Sequence, residues 1–353
     1  MSAAAASADE LDTATPAEML ETLTHYGRAT RKELARYLAA DRPAPYLQDL
    51  IRDYPSRGGK MLRPAICIAN ACVFGGNPEA AVQCAAAIEI LHNGLLIHDD
   101  IQDDSELRRG KPTLHVLHGA ALAINAGDAM MFTALRPLMD ALRPLGSDVA
   151  QQVLNVSMTM AQETAEGQAL ELGWRDRNVI ELDDADYFRM ALKKTAWMGM
   201  IWPAQLGLII GSSGRADPDA VVRFGYFLGV AFQIEDDLRN LSVDPGYGKE
   251  MNGDLFEAKR TLMLIHVRRA CSDAERRRLD RFLGLDREHR TAEEVLWLAG
   301  LMDRLGSIRH GRAVAAAMAG AAAYECAMAY GHLAPSADRR FIAGLAPWIF
   351  ERP

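Results

Sequence analysis

Apolar residues recur at helical spacing along almost the whole of this 353-residue chain, and this periodicity is the strongest constraint on its fold. It predicts helices over residues 80–104, 120–145, 148–172, 185–211 and 217–241. Clusters of glycine and proline separate these segments. No alternating run of β-branched residues between turn signals indicates a strand. We therefore expect an all-α fold, built as a bundle of long helices.

The domain organisation follows from what the sequence lacks between its helices. No linker rich in Gly, Ser or Pro divides the chain, and 49% hydrophobic residues can fill a large core. Residues 1–18 are small and polar, which predicts a flexible N-terminal tail. Residues 19–353 are expected to form one domain. Helices this apolar need cover on several sides, which favours a partner subunit.

Charge excludes one class of function. The formal net charge is −8 and the isoelectric point is about 5.6, so no basic stripe for nucleic acid is expected. The five cysteines form no Cys-x-x-Cys pair and their number is odd. They are interpreted as buried thiols of a reducing compartment, without disulfides or a zinc site.

The chain shows no targeting or membrane-spanning signal. Its N-terminus lacks both a basic region and a long apolar region, so it is not a secretory signal. The one membrane-like stretch, residues 313–333, is dominated by alanine and interrupted by Glu325 and His332. It is interpreted as a core helix. We expect no transmembrane segment and a cytoplasmic location.

A first acidic cluster, residues 99–104, ends an apolar helix. Asp99 and Asp103 are four residues apart, so they share one helix face with Cβ atoms roughly 5–6 Å apart. Acidic residues at a helix C-terminus oppose the macrodipole. A hard divalent cation would explain them, because Mg²⁺ binds one or two carboxylates together with waters and phosphates. The alternative is a solvated acidic helix end.

A second cluster, Glu235-Asp236-Asp237, ends another apolar helix about 135 residues later. Two such clusters facing each other across a cavity can hold metal ions around a diphosphate. A diphosphate also needs cationic side chains. The basic candidates stand next to turns or to the acidic clusters; they are Lys60, Arg63, Arg108, Arg109, Lys193, Lys194, Lys249 and Lys259. His92 shares the face of Asp99 and is a further candidate.

This ordered set resembles the polyprenyl synthetase family, the trans-isoprenyl diphosphate synthases. The resemblance covers about residues 58–261 and continues more faintly to the C-terminus. Each motif alone is weak, but their order is specific. They are Gly58-Gly59-Lys60-Met61-Leu62-Arg63-Pro64, His92, Asp99-Asp100-x-x-Asp103, Leu107-Arg108-Arg109-Gly110, Gly167-Gln168-x-x-Glu171, Lys194-Thr195, Phe232-Gln233-x-x-Asp236-Asp237, and Gly248-Lys249 with Asp254 and Lys259.

The resemblance implies an isoprenoid synthase-type bundle around a central cavity, a homodimer, and specific roles. The isopentenyl diphosphate subsite is formed by Lys60, Arg63, His92 and Arg109. The allylic diphosphate subsite is formed by Arg108, Lys194, Lys249 and Lys259. Asp99, Asp103 and Asp236 are the implied catalytic ligands of three Mg²⁺ ions, and Asp100 and Asp237 complete the metal-binding set. Thr195 and Gln233 lie beside the developing allylic cation.

The implied reaction needs no protein nucleophile. Cationic groups stabilise the departing diphosphate of the allylic substrate, where charge develops. The double bond of isopentenyl diphosphate attacks C1 of the allylic cation, and the released diphosphate takes up the proton that is then lost. Holding two anionic substrates together removes much of the entropic cost of their meeting.

Two departures keep alternatives open. The family's second motif usually ends in a third aspartate, where this chain has Asn240. The stretch from Asp236 to Asp244 also resembles the metal motif of class I terpene cyclases, although a cyclase would not need an isopentenyl diphosphate subsite. A non-catalytic partner subunit is the other alternative, and a helical scaffold would leave both acidic clusters unexplained.

Product length is predicted from the residues below the first motif. No two-residue insertion separates Asp100 from Asp103, and the family resemblance then implies a product longer than C15. Gly94 leaves space on the helix below Asp99, and Leu95 is of middle size. We expect the C20 product, geranylgeranyl diphosphate, with C15 and C25 or longer open.

Overall fold

A computed structural model describes residues 11–39, 46–241 and 251–351 of the chain. The helices are α1 (Pro16–Tyr37), α2 (Gln48–Ser56), α3 (Leu62–Val73), α4 (Pro78–Gln102), α5 (Leu114–His118), α6 (Ala120–Leu142), α7 (Ser147–Asp176), α8 (Asp184–Ala191), α9 (Trp202–Ser212), α10 (Val222–Asn240), α11 (Gly253–Phe256), α12 (Leu262–Ala270), α13 (Asp273–Leu283), α14 (Ala292–Arg304), α15 (Ser307–Tyr330) and α16 (Ala337–Glu351). The prediction of an all-α fold is confirmed.

Three features depart from the predicted elements. Residues 185–211 are one helical stretch, but Leu192–Ile201 between α8 and α9 is a π-helix. A short 3₁₀ helix, Pro218–Val221, precedes α10. Two strands, β1 (Leu107–Arg108) and β2 (Lys111–Pro112), pair as an antiparallel hairpin that the search for alternating runs missed. The hairpin is too short to show an alternating pattern.

Side-chain caps fix where the early helices begin. Helix α4 begins at Pro78, two residues before the predicted start, where the Asn77 side chain accepts a hydrogen bond from the Glu79 N–H. In α1, Thr15 and Glu18 form a reciprocal capping box. Helix α1 therefore begins at Pro16, inside the segment that was expected to be a flexible tail.

Long helices pack pairwise around the core. The main contacts join α4 with α6, α3 with α9, α10 with α15, and the π-helix with both α7 and α10. Helix α3 is buried along most of its length. The acidic ends of α4 and α10 and the π-helix consequently face a common interior space.

Two helices of the described chain, α4 and α15, are long and apolar enough to cross a membrane by length and composition. The sequence analysis had singled out only the second. The apolar window of α4 is 61% buried and that of α15 is 39% buried, so α4 is a core helix and α15 keeps an outer face. All five cysteines are free thiols, and four of them are buried.

An apolar face remains exposed on α6 and α7. On α6, Phe132 is 74% exposed, and Leu135 and Met139 follow at helical spacing. On α7, Leu154 and Met158 add to it, and Met158 is 73% exposed. Large apolar side chains exposed at helical spacing are typical of a surface that contacts another protein.

Candidate active site

A cavity of about 1060 Å³ opens between α3, α4, α7, α10 and the π-helix. One end is lined by charged side chains and the other by apolar ones. The charged lining contains Lys60, Arg63, His92, Asp99, Arg108, Arg109, Lys194, Asp236, Asp237 and Lys259. The structure thus brings most of the predicted site residues into one space. Lys249 lies outside the described residues.

Asp99 sits near the end of α4 and faces the cavity. Its carboxylate lies 3.3 Å from Lys194 Nζ and 3.6 Å from an Arg108 nitrogen. Gln168 on α7 donates a hydrogen bond of 3.3 Å to the same carboxylate. Three elements therefore place cations or donors around Asp99.

Asp103, one turn further on, is almost fully buried beside the same face. Its two oxygens lie 2.9 Å from Arg175 and 2.7 Å from Lys259 Nζ. Burial acts to raise the pKa of this carboxyl, but the charge of Lys259 overrides it and the pKa falls below its ordinary value. Asp103 is therefore ionised at neutral pH.

Asp100 has a different environment from its neighbour Asp99. It is 0% exposed and pairs with the Arg108 guanidinium, and the Tyr54 hydroxyl donates a 2.5 Å hydrogen bond to it. Both partners of this carboxylate belong to the protein, and Asp100 does not line the cavity. Asp100 was predicted as a metal ligand, but in the structure it holds Arg108 in position.

The end of α10 presents a second acidic pair. Both Asp236 and Asp237 line the cavity, but Asp237 is only 5% exposed and accepts hydrogen bonds from the Tyr187 hydroxyl (2.8 Å) and Gln233 (2.7 Å). Burial raises the pKa of Asp237 well above its ordinary value. Through its hydrogen bond, Asp237 orients Gln233, whose amide oxygen accepts a 2.5 Å hydrogen bond from the Thr195 hydroxyl.

The two glycines before Lys60 serve Arg109. Gly58 and Gly59 have φ of +87° and +150°, which side chains disfavour. A Cβ on Gly59 would lie 3.1 Å from the Arg109 guanidinium, and that guanidinium donates to the carbonyls of Gly58 and Tyr54. The glycine pair therefore lets the backbone wrap around Arg109 at the cavity wall.

Arg57 is a positioning residue that the sequence analysis missed. Its guanidinium donates to the carbonyls of Arg108 (3.0 Å), Lys111 (3.3 Å) and Pro112 (2.8 Å). It thereby ties α2 to the β1–β2 hairpin that carries Arg108 and Arg109. No motif marks such an arginine, because its partners are backbone carbonyls distant in sequence.

His92 stands beside a buried carboxylate, Glu89, which the sequence analysis also missed. The His92 Nδ1 lies 3.7 Å from Glu89, and Asn93 donates a 3.0 Å hydrogen bond to the same side chain. Burial lowers the pKa of His92 to about 4, and the charge of Arg63 adds to this. His92 is therefore neutral at physiological pH when the subsite holds no substrate.

Lys194 and Lys259 each contact the first acidic cluster and a second carboxylate outside it. Lys194 Nζ lies 2.6 Å from Glu171 on α7, the last residue of the Gly-Gln-x-x-Glu motif. Lys259 also lies 2.8 Å from Glu257, whose pKa burial raises to about 7. Arg175, Glu171 and Glu257 thus complete a buried network that only the folded chain brings together.

The apolar end of the cavity corrects one prediction. Leu91 and Leu95 on α4 line it with Met131, Met160, Met198 and Phe232. Gly94 does not. A Cβ there would lie 3.0 Å from the Gly127 carbonyl oxygen and 3.2 Å from Met130 Cβ, so Gly94 allows α6 to pack closely against α4. The space expected at Gly94 is filled by α6.

Asn240 is explained by packing. It is buried, its side-chain oxygen accepts a 3.0 Å hydrogen bond from the Asp254 N–H, and its carbonyl accepts one from Asn252. Asn240 therefore fastens the chain where it returns to the site. It does not line the cavity.

The carboxylates fit magnesium bound jointly with a diphosphate. Asp99 and Asp236 present hard oxygen ligands to one cavity, and Asp103 lies one turn from Asp99 on the same helix. Within residues 11–39, 46–241 and 251–351, no three acidic, His or Cys side chains form a ready-made cation site. Mg²⁺ needs only one or two carboxylates when phosphate oxygens and waters complete its shell.

Comparison with known proteins agrees with this geometry. The sequence matches the polyprenyl synthetase family over residues 44–299. A short chain isoprenyl diphosphate synthase of Methanothermobacter thermautotrophicus is 35% identical over 259 residues, 73% of this chain and 77% of the relative. A geranylgeranyl diphosphate synthase of Sulfolobus acidocaldarius is 35% identical over 249 residues, 70% of this chain and 74% of the relative.

The fold comparison covers more of the chain. The crystal structure of geranylgeranyl pyrophosphate synthetase from Pyrococcus horikoshii superposes with a TM-score of 0.83 at 29% identity, covering 96% of this chain and 99% of that one. Family, fold and cavity therefore agree, and the chain belongs to the polyprenyl synthetase family of all-α prenyltransferases.

Proposed function

We propose that this chain condenses isopentenyl diphosphate with an allylic diphosphate, head to tail, to give trans-geranylgeranyl diphosphate (C20). The observation that carries the proposal is one cavity with two separate cationic groups at its charged end and an apolar tunnel below. One group is Lys60, Arg63, His92 and Arg109, of which the last three surround the buried carboxylate of Glu89. The other is Arg108, Lys194 and Lys259, which lie against Asp99 and Asp103, with Lys249 as a further member from outside the described residues.

The residues divide the work of the reaction. Arg63 and Arg109 hold the diphosphate of isopentenyl diphosphate at the mouth of the cavity, and Lys60 closes it from the side of Trp348, 5.9 Å away. Arg108, Lys194 and Lys259 hold the allylic diphosphate and stabilise the charge that grows on it as its C–O bond breaks. The apolar walls exclude water from the allylic cation.

Carbon–carbon bond formation follows in this enclosure. The double bond of isopentenyl diphosphate attacks C1 of the allylic cation, and a proton is lost to the released diphosphate. The Thr195 hydroxyl and the Gln233 amide place their dipoles beside the cation. Both are held rigid, Thr195 by its bond to Gln233 and Gln233 by its bond to Asp237. No protein group becomes covalently attached.

Members of this family use magnesium for catalysis. In this chain Asp99, Asp103 and Asp236 would hold it, in three ions with the allylic diphosphate. Bound there, magnesium supplies Lewis acidity that draws charge from the leaving group. Asp100 and Asp237, with their oxygens bonded inside the protein, support these ligands from behind.

Product analysis tests the proposal directly. The purified protein is incubated with magnesium, isopentenyl diphosphate and each allylic primer in turn, and products are sized by mass spectrometry. A C20 diphosphate is expected. A hydrocarbon or alcohol from a preformed prenyl diphosphate, without use of isopentenyl diphosphate, would establish a terpene cyclase. Turnover that requires a second chain would establish a non-catalytic partner subunit.

Leu95→Phe is expected to shorten the main product from C20 to C15. Leu95 lies one turn below Asp99, about 6 Å along α4, and lines the apolar end of the cavity. A phenyl ring there blocks the path of the growing chain. Gly94→Ala is the matched control; its Cβ meets α6, so we expect lower thermal stability with an unchanged product. A product shift caused by Gly94→Ala alone would contradict this assignment.

The neutral His92 predicts a pH dependence of stability. Its pKa is about 4 in the folded chain and 6.5 ordinarily, so the unfolded chain binds more protons between these values. The free energy of unfolding therefore falls as pH drops from about 6.5 to about 4, by up to about 3 kcal/mol from this residue. Urea denaturation of wild type and His92→Gln checks this, and equal pH slopes would refute it.

The exposed apolar side chains of α6 and α7, of which Phe132 and Met158 are the most exposed, support a homodimer. Light scattering of the purified chain measures the mass directly.

Residues 19–353 form one isoprenoid synthase domain in this proposal. In its support, the fold of the Pyrococcus horikoshii enzyme covers 96% of the chain without a division. A cytoplasmic location, where both diphosphates are made available, completes the proposal.

A further inference from the structure

The π-helix Leu192–Ile201 carries two residues of the proposed site, Lys194 and Thr195. It lies between α7 and α10. A π-helix is rare and is usually found at functional sites. Its wider turn projects neighbouring side chains in directions that an α-helix does not allow. Its position relative to α7 and α10 therefore decides where the ammonium of Lys194 and the hydroxyl of Thr195 point.

Glycines on the two flanking helices set that position. A Cβ on Gly167 of α7 would lie 2.1 Å from the Lys194 backbone nitrogen. A Cβ on Gly229 of α10 would lie 2.4 Å from Ala196 Cβ and 2.5 Å from Ala196 Cα. These contacts involve backbone or Cβ atoms, so no rotamer change can relieve them. At Lys194 and Ala196, the two helices approach the π-helix this closely because Gly167 and Gly229 have no side chain.

Each glycine also lies one helical turn before the residue that bonds the catalytic side chain. Gly167 precedes Glu171, which lies 2.6 Å from Lys194 Nζ. Gly229 precedes Gln233, which accepts a 2.5 Å hydrogen bond from Thr195. Residues four apart share a helix face. A change in the distance between the helices at either glycine would therefore also change the hydrogen bond one turn further along the same helix face.

We propose that Gly167 and Gly229 are positioning residues, one for Lys194 and one for Thr195, through the distance at which α7 and α10 contact the π-helix. This inference rests on the proposed function. It assigns different consequences to the two glycines. Gly167 governs the grip on the allylic diphosphate, and Gly229 governs the dipoles beside the allylic cation.

The experiment compares four glycine-to-alanine variants, each checked for folding by circular dichroism. Gly167→Ala should raise KM for the allylic diphosphate and lower kcat/KM for it about 100-fold, as a displacement of about 1 Å does. Its KM for isopentenyl diphosphate should stay unchanged. Gly229→Ala should lower kcat by a similar factor while both KM values hold. A purely structural role would not separate these constants.

The two controls are matched in chemistry. Gly173→Ala, also on α7, has no neighbour within 4 Å of the new Cβ and should leave kinetics and folding unchanged. Gly225→Ala, also on α10, would place its Cβ 2.7 Å from Ile201 Cγ1 and 3.0 Å from Ile201 Cα, at the end of the π-helix away from the site. It should lower stability but keep kcat and both KM values within about twofold of wild type, since a displacement there moves no reacting group.

The remaining outcomes are also decisive. The inference would be overturned if Gly167→Ala and Gly229→Ala fold and, like Gly225→Ala, keep kcat and both KM values within about twofold of wild type. If Gly229→Ala does not fold, Gly229→Ala combined with Ala196→Gly removes the Ala196 Cβ but leaves its Cα 2.5 Å from the new Cβ. Helix α10 must still move away from the π-helix, so the same selective loss of kcat is expected. Full kcat in that folded double variant would overturn the role of Gly229.

A binding measurement separates the inference from the proposed function. Calorimetry with inorganic pyrophosphate and magnesium reports the position of Lys194 without turnover. Weaker binding by Gly167→Ala than by Gly173→Ala supports the inference even if wild type forms no prenyl product, and equal binding overturns it. Absence of any prenyl product from wild type counts against the proposed function alone.

Discussion

Asp99→Ala is expected to lower turnover at least about 100- to 1,000-fold while the helices remain intact. Asp99 faces the cavity, where its carboxylate lies 3.3 Å from Lys194 and serves as a proposed magnesium ligand. Removing one preorganised group that stabilises charge in the transition state costs about this factor. Alanine is also a better helix former than aspartate, so α4 persists. Steady-state kinetics and circular dichroism measure the two effects separately.

Asp104→Asn is the matched control for Asp99→Ala. Asp104 belongs to the same acidic cluster, but its side chain is 81% exposed and it does not line the cavity. Its φ of +51° is a conformation that asparagine tolerates. The control should keep wild-type turnover. Normal turnover in Asp99→Ala, or an equal loss in Asp104→Asn, would refute the assignment of Asp99.

Asp100→Asn is expected to destabilise the fold by about 3–5 kcal/mol, the largest stability effect that we predict for one substitution. Asp100 is fully buried against the Arg108 guanidinium, which is itself 8% exposed. Removing the carboxylate charge leaves a buried arginine without its main partner. Burial acts to lower the pKa of Arg108, but the charge of Asp100 overrides it and keeps the arginine ionised. Urea denaturation measures the loss.

The neighbouring residues Asp99 and Asp100 thus separate activity from stability. Asp99→Ala should lose little stability, because its carboxylate borders an open cavity. Asp100→Asn should lose stability first, and activity through the displaced Arg108. Equal denaturation midpoints for the two variants would contradict the division. Successive residues on a helix point about 100° apart, so packing of α4 decides which one faces the cavity.

This division shows where sequence reasoning stopped. The motifs placed both acidic clusters and the cations around one site, because chemistry dictates those residue types. The resemblance favoured Asp99 over Asp100 and Asp236 over Asp237, but the residue types alone give no physical reason for this choice. The reason is which helix face is covered, by Tyr54 and the β1–β2 hairpin at Asp100 and by Tyr187 at Asp237. A sequence pattern does not contain this information.

The sequence predicted the long helices of the fold, but not its local irregularities. Long apolar periods identified α4, α6, α7 and α10, since burial of one face repeats every turn. The π-helix escaped, because its residues have the composition of an ordinary buried helix. The prediction that Gly94 leaves space for the product was also wrong, because Gly94 faces α6. A glycine indicates that another group comes close to the backbone, but the sequence does not say whether that group is a substrate or a neighbouring helix.

Arg57 and Arg175 were missed for a related reason. Both look like surface arginines in the sequence, and each acts through partners far along the chain. Arg57 holds three carbonyls around the hairpin, and Arg175 holds Asp103. Their importance arises from topology, which brings α2 to the hairpin and α7 to the end of α4.

Helix α6 separates two surfaces that evolution must satisfy at once. Met131 lines the prenyl cavity, and the next residue, Phe132, is 74% exposed on the outer apolar face. The partition between them is a single helix thick. A one-residue insertion in α6 would rotate the residues after it by about 100° relative to those before it, so both faces would be interrupted at once. Selection on the cavity lining and selection on the outer face therefore act on the same stretch of sequence, and neither can change independently of the other.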